Sequence, residues 1–187
     1  MCELGGIRAV VTGATSGLGL AMARALVDAG ARVVVTSRDA ERAGRTAAGL
    51  GPDALGLALD ARDEAAVAAG IAEVWERLGG IDLLVNNASL GMRTVNPSFL
   101  SEPQPFWEVP PDGFRDVLET KVTGYFLSAR AVVPLMLEQG GGRIVTISMS
   151  ESTMVRRGYV PYGPSGAAVE AMSRVMAERG RKPRMTI

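Results

Sequence analysis

The chain has 187 residues, enough for one domain (1–187) with a real core, and 47% of them are hydrophobic. Its 20 basic residues balance 20 acidic ones, which argues against nucleic-acid binding driven by net charge. One cysteine and no histidine rule out an internal disulfide and the usual zinc, Cys/His and Ser/His/Asp constellations. Proton transfer near neutral pH must therefore fall to Tyr, Lys, Asp, Glu or Ser. The apolar runs are too short to span a membrane and the N-terminus lacks a signal-peptide pattern, so a cytoplasmic protein is expected.

The chain is organised around Arg8–Gly19. The apolar run Ala9-Val10-Val11 reads as a buried parallel strand, and a helical pattern opens near Leu18. Between them stand Gly13, Gly17 and Gly19, spaced Gly-x-x-x-Gly-x-Gly. Glycines at a strand-to-helix turn let a diphosphate approach the helix N-terminus without meeting a Cβ. An ordinary turn would use glycine too, but strand before and helix after favour a nucleotide cradle.

The β-branched run Arg32–Thr36 reads as a second strand, tipped by Ser37 and Arg38. At this point of a dinucleotide fold an acidic residue would take a ribose 2′-hydroxyl. Arg38 suits a 2′-phosphate instead, so NADP(H) is preferred to NAD(H). A helix over Ala40–Ala48, a strand over Ala54–Leu59 ending at Asp60, and a helix over Asp63–Leu78 follow. Val67, Ile71, Val74 and Leu78 form the apolar stripe of that helix. A fourth strand, Ile81–Val85, runs into Asn86-Asn87-Ala88.

Ser89–Pro111, rich in proline and aromatic residues, is longer than usual connections and reads as either a functional loop or a disordered one, whose apolar side chains would wall a pocket or cover core. One long helix is expected from Pro111 or Asp112 to Glu138, a fifth strand over Arg143–Ser148, and a last helix from Pro164 to Arg179. Arg184–Ile187 resembles the opening of a sixth strand. Alternating strands and helices predict an α/β fold with a doubly wound parallel sheet of Rossmann type.

With these segments placed, the chain resembles the short-chain dehydrogenase/reductase family over nearly its whole length. The resemblance rests on Thr12-Gly13-x-x-x-Gly17-x-Gly19, Asp60, Asn86-Asn87-Ala88 and Tyr162-x-x-Ser165. It implies hydride transfer between a nicotinamide cofactor and a small carbonyl or alcohol substrate. It also implies a homo-oligomer, with no nucleic-acid or membrane partner. Thr12, Gly13, Ser16, Gly17, Leu18 and Gly19 would then line the diphosphate, with Arg38, Asp60, Asn86 and Ala88 around the adenosine side. Tyr162 would be the acid/base. Family members continue into further strands, so the resemblance implies a sheet lacking its last strands and a C-terminally incomplete chain.

The departures from the family pattern fall in the catalytic set. Lys121 stands where an asparagine is usual, three residues before Gly124, and Met149 stands at the usual serine position. Ser148 precedes it and Ser150 follows, but strand alternation turns Ser150 to the face opposite position 149 unless a bulge intervenes. Gly166 replaces the lysine four residues after Tyr162, and Ser89 replaces a glycine after Asn86-Asn87-Ala88. A tyrosine ionises near pH 10, so it is a poor base without a neighbouring cation. Lys121 lies within an apolar stripe, four residues from both Val117 and Tyr125. Either it snorkels to solvent or its ammonium serves Tyr162. Tyr162, Ser148 and Lys121 are the candidate catalytic residues. A nucleotide-binding partner protein without turnover is the rival reading, and a non-functional fragment the third. Arg156 and Arg157 read as solvated loop residues.

Overall fold

Six parallel strands form one sheet in the order β3-β2-β1-β4-β5-β6 in the computed structural model, which describes residues 3–179 and 185–187. The strands are β1 (Arg8–Val11), β2 (Arg32–Ser37), β3 (Ala54–Ala58), β4 (Leu83–Asn86), β5 (Gly142–Thr146) and β6 (Met185–Thr186). The order reverses between β1 and β4. Open parallel sheets of this kind form a crevice there, beyond the carboxyl ends of the strands.

The strands are short and apolar because both faces of the sheet are covered. On one face Val10, Val34, Leu84 and Ile144 pack with Val67, Ile71, Val74 and Leu78 of α3 (Glu64–Leu78). Leu127, Val132 and Met136 of α5 (Gly124–Glu138) complete that cluster, which matches the predicted stripe of α3. On the other face Ala9, Val11, Val33, Val35 and Val85 meet Ala23 of α1 (Gly17–Asp28) and Ala47 and Leu50 of α2 (Ala40–Leu50). Asp39 and Asp63 cap α2 and α3, each accepting a hydrogen bond from the amide three residues on. At the opposite end of the sheet from the crevice, Asp82 accepts from the amide, Nε and Nη2 of Arg8 at 2.7–2.9 Å, tying β1 to the start of β4.

Three elements differ from the sequence expectation. The long helix is not uniform: α4 (Pro111–Leu118) passes through a five-residue π-helical segment, Glu119–Thr123, before α5. A Cβ on Gly124 would lie 2.9 Å from the Cβ of Ala61, so the helix meets the loop after β3 at this register. A short helix, α6 (Glu151–Met154), interrupts the loop after β5. The last helix, α7 (Tyr162–Arg179), starts two residues before Pro164 and makes Tyr162 its first residue. β6 is present where a sixth strand was expected, paired with β5 through Gly142 and Arg143, while Arg184 lies outside the described residues.

Truncation at the sheet–α3 contact should be felt globally. Ile71 is 2% exposed at its centre. Ile71→Ala is expected to cost about 3 kcal/mol of unfolding free energy, read by chemical denaturation with the far-UV spectrum unchanged.

Candidate active site

The crevice is built from the ends of β1, β2 and β4. The Thr12 hydroxyl donates to the Val85 carbonyl at 3.3 Å and accepts from the amides of Asn87 and Ala88 at 3.0 and 3.1 Å. The Asn87 side-chain amide donates to the carbonyls of Thr12 (2.9 Å) and Gly13 (3.2 Å). Thr36 of β2 accepts from the Gly13 amide at 3.3 Å. Asn87, a residue that could equally have been a turn former or a ligand contact, is therefore a strut.

This strut assigns the glycines different duties. A Cβ on Gly13 (φ +62°) would stand 2.8 Å from the Cα of Ala88, and one on Gly19 would run into the Asn87 amide. Both glycines are needed first for protein packing. Gly17 (φ +55°) is open all round and owes its identity to the left-handed turn into α1. Ser16 is the N-cap of α1, and its hydroxyl makes no capping bond.

A cavity of about 320 Å³ lies over this turn. Gly13, Ser16, Arg38, Arg42, Asp60 and Ala88 line it, together with Leu18 and Gly19. Its donors are a helix N-terminus and two guanidiniums, a set that fits a phosphorylated dinucleotide. Asp60 is less free than its motif suggests. It accepts from the amide, Nε and Nη2 of Arg62 at 3.0–3.2 Å, and this pairing holds its carboxyl below the usual carboxylate range against the opposing effect of burial. Asn86 is buried; its Nδ2 donates to the Tyr125 carbonyl at 3.3 Å, and its Oδ1 has no partner.

Beside the cradle, Tyr162 faces a second cavity of about 590 Å³. Met92, Arg93 and Phe99 from the long loop line it with Met149 and Tyr159, so that loop does wall a pocket. Phe99 meets Tyr159 edge-on with ring centroids 5.5 Å apart, and Arg156, exposed as expected, lies 5.3 Å from the centroid of the Tyr159 ring.

Lys121 does not snorkel. It is 1% exposed, and its Nζ lies 4.8 Å from the centroid of the Tyr162 ring. Burial lowers its pKa to about 8, partly opposed by the charge of Glu170. Tyr125, one turn on, is also buried, and its hydroxyl has no partner. Burial, then the charge of an ionised Tyr162, pushes it above the ordinary tyrosine range.

Neither serine stands with Tyr162. Ser148 donates to Glu170 Oε1 at 2.8 Å and lines a separate cavity with Arg143 and Ile144, so its candidate role as a site hydroxyl is corrected: it orients a carboxylate. Ser150 is exposed at the start of α6, bonded with Ser152 and Thr153. Glu170 escaped the sequence reading, although Tyr162, Gly166 and Glu170 recur at the four-residue spacing of one helix face.

A family model for short chain dehydrogenase matches residues 8–187. The chain belongs to the short-chain dehydrogenase family. It is 33% identical over 178 residues to gluconate 5-dehydrogenase of Gluconobacter oxydans, a match that covers 94% of this chain and 66% of that protein. A gluconate 5-dehydrogenase from Burkholderia cenocepacia, solved in complex with NADP and tartrate, superposes with a TM-score of 0.86 at 31% identity, covering 98% of this chain and 69% of that one. A 3-ketoacyl-(acyl-carrier-protein) reductase from Brucella melitensis, solved with NADH, gives the same TM-score at 28% identity over 98% of this chain and 73% of that one. The chain thus spans about two thirds of the length of these relatives. No helix among the described residues is long and apolar enough to cross a membrane.

In this chain, Met149 and Gly166 are neighbours. A Cβ on Gly166 would lie 2.9 Å from the Met149 methyl. The thioether occupies the ground from which a side chain at 166 would start.

The buried lysine gives a pH signature of stability. A lysine whose pKa is lowered on folding weakens the fold while it is charged. That penalty is full below about pH 8 and is relieved as pH rises toward the unfolded-state value near 10.5. Lys121→Met should therefore be more stable than the parent at pH 7, with the difference shrinking by roughly 3 kcal/mol by pH 11. Denaturation of both chains across that range measures it; the contribution of Tyr125 is common to both and cancels.

Proposed function

We propose that the chain is an NADP(H)-dependent oxidoreductase acting on a small carbonyl or alcohol. The observation that carries this reading is the cavity over the Gly13–Gly19 turn, where a helix N-terminus and the guanidiniums of Arg38 and Arg42 line one space. The amide-rich turn would hold a diphosphate, and Arg38 with Arg42 would take a 2′-phosphate that an acidic residue would repel. Asp60, already engaged by Arg62, would border the adenine with Ala88 on the adenosine side, while Asn86, buried and outside the cavity lining, would support them from behind. A bound nicotinamide supplies hydride chemistry at the carbinol carbon.

The protein's own part is to position the substrate and move one proton. In the reducing direction the Tyr162 hydroxyl would give its proton to the oxygen of the reduced carbonyl. The O–H bond of the phenol breaks as that of the alcohol forms, and the phenolate recovers a proton from solvent. The cavity of Met92, Phe99, Met149 and Tyr159 beside Tyr162 would receive the substrate's apolar part. We place the site in a homo-oligomer, as the family resemblance implies.

Calorimetric titration of the purified chain with NADPH and NADH tests this reading. NADPH should saturate the site at lower concentration than NADH. Arg38→Ala should weaken NADPH about tenfold while leaving NADH little changed. Tyr162→Phe should bind NADPH normally and lose turnover in a carbonyl screen. Failure of both nucleotides to bind overturns the proposal. Binding without turnover in the parent chain would leave a nucleotide-binding partner protein instead.

A further inference from the structure

The cavity of about 590 Å³ beside Tyr162 has a lining that limits what it can hold. The segment after β4 serves both cavities: Ala88 to Leu90 line the nucleotide cavity, and Gly91 to Thr94 line this one. Its walls are thioether and aromatic, from Met92, Phe99, Met149 and Tyr159, surfaces that suit an apolar body of adaptable shape. Among the described residues no carboxylate lines it, and Arg93 is its one charged side chain.

Most of its other polar groups are already engaged. Thr94 Oγ1 donates to the Gly91 carbonyl at 2.8 Å, and Thr153 Oγ1 is bonded to Ser150 Oγ at 2.9 Å. Tyr159 is buried, its ring against Phe99. Tyr162 and Arg93 are left to meet a ligand. Arg93 sits in a single 3-10 turn, Met92–Thr94, is exposed, and forms no ion pair among the described residues. Water alone can satisfy an exposed arginine, but here the guanidinium stands in the wall of a cavity that has no other charge. It keeps that charge at any working pH. The nucleotide cavity combines two guanidiniums with a helix N-terminus, a set suited to phosphates, whereas one guanidinium matches one negative charge.

We propose that this cavity takes a carbonyl compound, or the corresponding alcohol, whose apolar body carries a carboxylate, and that Arg93 selects it by pairing with that carboxylate. The substrate class rests on Tyr162 being the proton donor and acceptor of the proposed reaction. The reacting oxygen meets Tyr162, the body lies against Met92, Phe99 and Met149, and the carboxylate meets Arg93. A polyhydroxylated acid is disfavoured, because its hydroxyls would leave water for thioethers, rings and threonines that are already bonded. A cationic substrate would meet Arg93 with no carboxylate in the lining to offset the repulsion.

Matched probes test the assignment. Para-acetylbenzoate joins a ketone and a carboxylate through one ring, and its methyl ester has the same body without the charge. Binding of each to the full chain, followed by ligand-observed NMR with and without NADP+, should favour the acid about tenfold. Arg93→Ala should remove the preference by weakening the acid alone, Arg93→Lys should keep part of it, and Arg157→Ala should keep all of it. Equal affinities in the parent, no binding of either probe at millimolar concentration, or an unchanged preference in Arg93→Ala overturns the proposal. Loss of the preference on adding NADP+ puts the carboxylate in the nucleotide cavity and overturns it equally. Tighter binding of para-acetylphenyl phosphate or of glucuronate than of para-acetylbenzoate overturns the singly charged, apolar substrate. Turnover of uncharged ketones with no preference that depends on Arg93 overturns the substrate class and leaves the oxidoreductase. Binding that depends on Arg93 without turnover of any carbonyl overturns the oxidoreductase reading and leaves the carboxylate site.

Discussion

The structure depends on the strut across the strand-order reversal. Between β1 and β4 the sheet changes direction of growth, and the chain ends there must be held without a further strand. Thr12 and Asn87 do this with five hydrogen bonds, two of them to the backbone amides after β4. Each is a buried or half-buried polar contact that would be costly to leave unmade. Because the strut draws the β4 end against the first turn, Gly13 and Gly19 have no room for a Cβ. The empty space above the turn is a consequence of that packing. The cradle is thus set by protein contacts before any ligand enters.

Lys121 is the second constraint, and it works in the opposite sense. The strut pairs the Thr12 hydroxyl and the Asn87 side-chain amide with backbone groups, whereas Lys121 brings a charge into the interior with no direct ion pair among the described residues. Such a group lowers stability at neutral pH, and the fold retains it beside a tyrosine that opens onto a cavity. A solvent-facing lysine would have needed only a different helical register. The π-helical segment supplies the register observed.

Much of this was legible in the sequence, for physical reasons that differ by element. The parallel strands announce themselves because burial on both faces selects β-branched runs such as Arg32–Thr36, and α3 because a single apolar stripe recurs at helical spacing. The Asp39 and Asp63 caps mark helix starts by a local rule. What was hidden depends on tertiary distance. The π-helical segment ends where Gly124 packs against Ala61, a contact that no periodicity encodes. Asn87 could be a turn former, a ligand contact or a strut on local grounds, and only the position of Thr12 decides. The direction of Ser148 depends on Glu170, twenty-two residues away on another element.

The departures from the family's catalytic set also read differently in space. In sequence they are three separate losses: an asparagine, a serine and a lysine. In the structure two of them touch, the Met149 methyl lying against Gly166. The third places a cation on the ring of the one member that is kept. Ser148 holds the carboxylate whose charge favours that cation. A site that had merely decayed would have no need of a buried charge, because a neutral residue at 121 would make the helix more stable. The cost of that buried charge falls on the residue that faces Tyr162.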